Sequence, residues 1–319
     1  MRSLVESVGI VGHKFRSDGP ILKTEGHRCD SMMMRSEEPK MGFRARIGRG
    51  WRVTKLGMHV VRADPELMAY MLFSGILSFI AAIVLQTTTG GLGYFIGGEE
   101  GSEGGALVGT FLSYMAIAII TVFWNAAIIA SAHERLTTGT NPSFSYGIKQ
   151  AMKCLPQIVI WGLISGTVGL IIRAFESMED SKNPGVAFVG GIISLMIRYA
   201  WWITTFFVVP MIVLDKISIR DSMSKSPKLF EQTWGEDVVS TVGTGIINFL
   251  VCLLIVVICL PLLLFEVIGE GPWILVMFVG IAVSVLFFSA CEAVNCASLY
   301  YFAKTGESPP YAQKYGLDF

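Results

Sequence analysis

Charge is scarce in this chain, and over six long stretches it is almost absent. Charged residues make up 16% of the 319, against 52% hydrophobic, and mean hydropathy is +0.58. A soluble domain carries about 25% charge, so the composition argues against two soluble domains of ordinary size. Histidine is scarcer still. The four (His13, His27, His59, His133) are dispersed, and none has the spacing of a metal-ligand pair. The six cysteines give no disulfide framework. Cys252, Cys259, Cys291 and Cys296 fall in apolar stretches, while Cys29 and Cys154 fall in segments assigned below to a reducing compartment. They read as small hydrophobes. The first 40 residues lack a continuous apolar run, which excludes a secretory signal peptide in them.

Catalytic signatures are missing as well. No Ser-x-x-Lys, GxSxG, HExxH or Walker pattern stands in a suitable context, so the expectation is no enzyme and no cofactor. The glycine-rich stretch 91–105 carries three glutamates. A phosphate cradle needs unopposed N–H groups, so this stretch reads as a flexible loop.

What the chain has instead is six apolar segments near 67–86, 106–132, 155–172, 186–214, 238–265 and 273–302. About 20 apolar residues cross a bilayer, so each is a span, the longer ones tilted or kinked. The expected fold class is all-α: a polytopic membrane protein of six transmembrane helices with amphipathic helices at its cytoplasmic face. Alternate threading puts 1–66, 133–154, 215–239 and 304–319 on one side, with 13, 3, 4 and 2 basic residues, or 22 of the 25. The loops opposite carry Arg173 and Lys182, beside eight acids. This bias places the basic side, with both termini, in the cytoplasm and the protein in the cell membrane. The counter-charge it implies is anionic lipid, and no nucleic-acid partner is expected.

The domain reading has three parts. Residues 1–42 are polar and aperiodic: a disordered tail, or sequence upstream of a true start at Met41. Residues 43–304 form the membrane domain, and 305–319 a cytoplasmic tail. At 43–62, Phe43, Ile47, Trp51, Thr54, Met58 and Val61 fall within one arc of about 80° at 100° per residue. Arg44, Arg46, Arg49, Arg52, Lys55 and Arg62 fall outside it, but so do Val53, Leu56 and Val60. Two readings stand. The helix lies in the interface with Arg44, Arg46, Arg49, Arg52 and Lys55 facing lipid headgroups, or it covers the inner ends of the spans. Asp64-Pro65-Glu66 starts the next helix, with Asp64 as N-cap.

Each odd span follows a short cytoplasmic segment able to form a helix (43–62, 143–153, 218–234) and leads into an acidic outer loop. The returning ends TVFWNAAIIASAHERL, TTFFVVPMIVLDKI and VLFFSACEAVNCASLYYFAK look alike. Three helix–hairpin repeats are therefore expected, near 43–140, 141–216 and 217–304.

The stretch RGWRVTKLGMHVVRADPELMAYMLFSGILSFIAAIVL resembles the opening of a family of six-span prokaryotic, largely archaeal, membrane proteins of unknown function. FFVVPMIVLDKISIRDSMSKSPKLFEQTWGEDVV is similar to a later segment of the same family, and to the membrane domain of some bacterial glycerophosphodiesterases. The resemblance implies the topology. It implies no activity, because the soluble phosphodiesterase domain of those relatives is absent from this sequence.

Arg198, 12 residues into the fourth span, is the one base that belongs to neither side. A charge at mid-bilayer costs at least about 2.5–3.5 kcal/mol and needs a partner or water. With Glu292, Asn295, Asn125 and Asn248 it is the candidate intramembrane polar site, read either as a substrate site or as a structural lock. Gly162-x-x-x-Gly166 favours close helix packing. Three function classes follow: a non-catalytic membrane component (scaffold, accessory subunit or lipid-interacting protein, with membrane lipids and a cytoplasmic protein as partners), a transporter or permease, and an intramembrane enzyme. The first is preferred for the shortage of intramembrane charge. The second rests on Arg198, Glu292, the asparagines Asn125, Asn248 and Asn295, the mid-span prolines Pro210 and Pro261, and the expected repeats.

Overall fold

The computed structural model describes residues 43–178, 184–264 and 269–319. The tail expected at 1–42 and the side chain of Arg44 lie outside the described residues. The fold is all-helical: α1 (Phe43–Ala63), α2 (Glu66–Thr138), α3 (Phe144–Lys153), α4 (Leu155–Glu176), α5 (Pro184–Thr205), α6 (Val208–Leu214), α7 (Ile219–Leu264), α8 (Glu270–Thr305) and α9 (Pro310–Lys314). Among the described residues, five helical segments are long and apolar enough to cross a membrane: Glu66–Thr138, Leu155–Glu176, Gly185–Leu214, Gly235–Pro261 and Gly271–Thr305. By length and composition the chain is a multi-pass membrane protein.

The 73-residue α2 is not one rod. Gly97 (φ −136°, ψ 17°) and Gly98 (φ 63°, ψ −141°) leave helical geometry, and the chain reverses there. The second of these conformations is one that only glycine adopts cheaply. Beyond the reversal the arms run side by side. Gly93 meets Gly101 backbone to backbone, Gly105 meets Thr89, and the Gln86 Nε2 amide donates to the Ala106 carbonyl at 3.3 Å. At the base, the Tyr70 hydroxyl shares a hydrogen bond with Ser131 Oγ (2.7 Å) and donates to the Phe144 carbonyl (2.8 Å), tying both arms to α3.

Two more hairpins follow, α4 with α5 and α7 with α8. Trp161 and Trp201 stack across the first at 5.5 Å between ring centres, and Trp273 Nε1–H donates to the Cys259 carbonyl at 2.7 Å across the second. The Gly162-x-x-x-Gly166 face packs on α2 within the same chain: a Cβ at Gly162 would stand 2.7 Å from the Ile119 backbone, and one at Gly166 would press on Met115 and Ala118.

Exposure divides the molecule along its length. Large apolar residues are exposed from Val242 to Leu260 on α7 and from Val186 to Ile203 on α5. At 1.5 Å per residue these runs advance about 27 and 26 Å. A belt of that height matches a hydrocarbon core of about 30 Å. At one end of the belt lies a densely packed layer. There Val53, Leu56, Val60, Ala126, Ile128, Val208, Ile212, Cys291 and Val294 are all buried.

Helix α1 belongs to that layer. Its buried face is Gly50, Val53, Thr54, Leu56, Gly57, Val60 and Val61, while Ile47 and Trp51 are 39% and 42% exposed. The face with the fewer large side chains is therefore the one that docks, and the helix covers the bases of the spans. Small residues decide this. Gly50 lies against Val239 of α7 and Gly57 against Cys291 and Asn295 of α8, so the axes approach closely on that side.

The junction to α2 differs in detail from its expected cap. Pro65 takes the N-cap position with no side-chain cap, and the Asp64 carbonyl accepts from the Leu67 N–H at 3.2 Å. The Asp64 carboxyl is buried instead. Burial pushes its pKa above the ordinary carboxylate range, against the pull of Arg135. Ser218 does cap α7: its Oγ accepts the Asp221 N–H (3.2 Å) and donates to Asp221 Oδ2 (2.7 Å). The segment 305–319, expected as a tail, is packed. Tyr311 and Ala312 are buried, and Ser308 Oγ donates to the Phe319 carbonyl and accepts its N–H, each at 2.7 Å.

Candidate functional site: a cleft at the base of the belt

Proline sets the geometry of this site. Pro210 has no N–H for the carbonyl of Phe206, so the helix of the fourth apolar segment breaks at Phe206–Phe207 and resumes as α6. The two groups freed by the break find partners on other helices. Cys296 Sγ of α8 donates to the Phe206 carbonyl at 3.6 Å, and the Phe207 N–H donates to Ser226 Oγ of α7 at 3.1 Å.

Beside the break opens a cleft of about 390 Å³. Every hairpin contributes a wall: Thr121, Asn125 and Ile129 from α2, Trp202, Phe206, Val209 and Pro210 around the break, Ser240 and Thr241 from α7, and Ser289, Glu292 and Asn295 from α8. The walls are mainly apolar, with a few polar groups converging, which is the character of a small-molecule site. The Glu292 side chain faces the opening and has no hydrogen-bond or ion-pair partner among the described residues.

Under the cleft runs a buried polar seam. Thr233, Asp237, Ser240 and Thr244 follow one another on a single face of α7, all buried. Asp237 Oδ2 accepts from Thr233 at 2.7 Å, and its Oδ1 has no partner among the described residues. Thr54 of α1 donates to the Ser240 carbonyl at 3.3 Å. Asn295, with its amide set to suit its neighbours, donates to the carbonyls of Val53 (2.8 Å) and Cys291 (3.3 Å) and accepts from Thr244 (3.2 Å). At the lower end of the seam Glu236, fully buried, pairs with Arg49 at 2.5 Å, and Arg46 adds to the positive field around it.

The residues singled out from sequence are thus sorted. Glu292, Asn125 and Asn295 meet at the cleft. Asn248 lies apart within the belt, where its Oδ1 accepts from Ser284 (2.8 Å) and Cys252 (3.7 Å) and clamps α7 to α8. Arg198 is elsewhere too. On a helix the Cβ bonds tilt toward the N-terminus, so from α5 its guanidinium extends toward the far end of the belt, where it pairs with Glu176 at the end of α4. Of the five headgroup-facing candidates, Arg52 and Lys55 are exposed, Arg46 is half-buried beside Gly235, and Arg49 is turned inward to Glu236.

Glu236 and Asp237 were not singled out from sequence. Their signal was there: Thr233, Asp237, Ser240 and Thr244 recur at intervals of four, three and four, a polar stripe running on into an apolar span.

Residues 105–310 match a family of unknown function, DUF6159. The chain belongs to that family. The DUF6159 match starts on the return arm of α2 and ends at the first residue of α9, so it takes in each cleft residue named above. A comparison with curated proteins finds no match.

Proposed function

We propose that this DUF6159 chain is a six-pass cell-membrane protein without a catalytic role, a membrane component that holds an amphiphile in the cleft at the base of its belt. The observation that carries the reading is the Glu292 carboxylate, unpaired among the described residues, in a mainly apolar cleft to which all three hairpins contribute. Apolar walls suit an acyl or aromatic body. A lone carboxylate suits a cationic or hydrogen-bond-donating head.

The reversal of α2 at Gly97–Gly98 supports counting its arms as two passes, which makes six. The 22-of-25 basic bias supports a cytoplasmic position for the packed layer and both termini. The three hairpins fit the expected repeats, and the resemblance to six-span prokaryotic proteins points the same way. Exposed Arg52 and Lys55 are then placed for anionic headgroups or a cytoplasmic protein partner. Impermeant maleimide applied to intact cells should label Glu100→Cys and spare Ser145→Cys and Ser224→Cys. Labelling at Ser224→Cys from outside overturns the orientation.

The function itself is tested by native mass spectrometry after gentle extraction. The parent protein should retain one amphiphile that Glu292→Gln loses. A parent protein that always emerges bare sinks the reading. A second reading, a permease, is favoured by the broken helix at the cleft wall, a feature of transporters whose sites lie at discontinuous helices. It has lost one support: Arg198 is paired with Glu176 away from the cleft. Uptake of the retained molecule into vesicles, abolished by Glu292→Gln, would favour the permease.

A further inference from the structure

A second cleft, of about 360 Å³, opens in the packed layer where α2, α3, α6 and α8 meet. Its lining is polar. Lys216 and Lys304 bring ammonium groups, and Gln150 an amide. The Gln150 carbonyl accepts from Lys153 at 3.2 Å, and its NH2 is directed at the Tyr146 hydroxyl inside the cleft. His133 lines the same space, and its buried Nδ1 has no hydrogen-bond partner among the described residues.

The nearby carboxylates are already engaged. Asp215 accepts from the Tyr300 hydroxyl (2.6 Å) and from Lys304 (2.7 and 2.8 Å), while Glu134 accepts from the Tyr146 hydroxyl (3.0 Å). Lys216 is exposed and has no ion pair among the described residues.

Lys216 also has an unusual backbone. Its φ is +55°, and it alone among the described non-glycine residues has positive φ. It follows Asp215, the C-cap of α6, where a left-handed residue is common and is usually glycine. Capping alone would therefore be served better by glycine. A lysine there accepts backbone strain and in return sets an ammonium over the cleft.

From these neighbours we infer that the cleft binds a phosphate-bearing anion, with Lys216 as its principal charge. A free phosphate and a lipid headgroup share this chemistry, and adding an anionic phospholipid to the titration separates the two sources.

The full chain in phosphatidylcholine nanodiscs, titrated calorimetrically with inorganic phosphate, tests this. Saturable binding is expected. Lys216→Gly should weaken it about tenfold or more while unfolding at the same or a higher temperature, and Lys216→Arg should bind nearly as the parent does. Phosphate binding unchanged when phosphatidic acid is added to the discs supports the soluble source. Displacement by that lipid keeps the phosphate chemistry and moves the source to a headgroup. No saturable binding to the parent, or Lys216→Gly binding as tightly as the parent, overturns the proposal.

Discussion

Arg49→Met should cost about 3–5 kcal/mol of stability, the penalty for leaving one member of a buried ion pair without the other. Glu236 is fully buried and the Arg49 side chain is 13% exposed, so neither charge has water to fall back on. Arg49 also stands over the Phe302 ring at 5.3 Å, and methionine brings no cation to that ring. For a chain of this size the loss lowers the unfolding midpoint by on the order of 10 °C. The double variant Arg49→Met/Glu236→Leu separates the causes. Removing both charges should recover most of the loss, because a buried pair replaced by apolar side chains is often neutral. Lys304→Met offers a contrast. Its pair with Asp215 is 43% and 24% exposed, and it should cost no more than about 1 kcal/mol. If scanning fluorimetry in detergent finds Arg49→Met no worse than Lys304→Met, the buried pair does not hold α1 in place.

Gly57→Ala should loosen the same helix by a different route. A Cβ at Gly57 would stand 2.9 Å from the Cys291 carbonyl and closer still to the Asn295 amide. Backbone cannot rotate away as a side-chain tip can, so α1 must shift outward. Overpacking of this kind costs about 1–3 kcal/mol, and the shift also strains the Asn295 bond to the Val53 carbonyl. Gly48 on the same helix is the control, with nothing within 4 Å of its Cβ position. Gly48→Ala should be neutral or stabilising by up to about 1 kcal/mol, since alanine is the better helix former. Equal unfolding midpoints for the two variants would falsify the close approach of α1 to α8.

The contrast also explains what could be read from the sequence. Long apolar runs announce themselves, because a bilayer-length segment has no soluble alternative. The return at Gly97–Gly98 is written in the glycines and glutamates around it. The docking face of α1 is harder. Hydropathy favours the side with Ile47 and Trp51, yet the buried side is the one whose glycines let two axes come close. Side-chain size and lipid exposure compete there, and periodicity measures neither. Arg198 was legible as a charge needing a partner. That the partner is Glu176 depends on which way a helical side chain leans and on how far the fourth apolar helix slides past the third. Glu292 and Asn295 share a helix face by spacing alone. The cleft that joins them to Asn125 needs the break at Pro210 and the meeting of three hairpins, which no local pattern contains.

Helix α1 imposes a schedule on biosynthesis. Thr54 and its partner Ser240 are 186 residues apart, and Asn295, which donates to the Val53 carbonyl of α1, is later still. A ribosome adding about 5–20 residues per second needs roughly 10–40 s to cover the first of those gaps. Throughout that interval α1 has no Glu236 for Arg49 and no α8 for Gly57. Insertion of the final hairpin is then the committing step, after which the earliest helix in the described chain closes over α7 and α8.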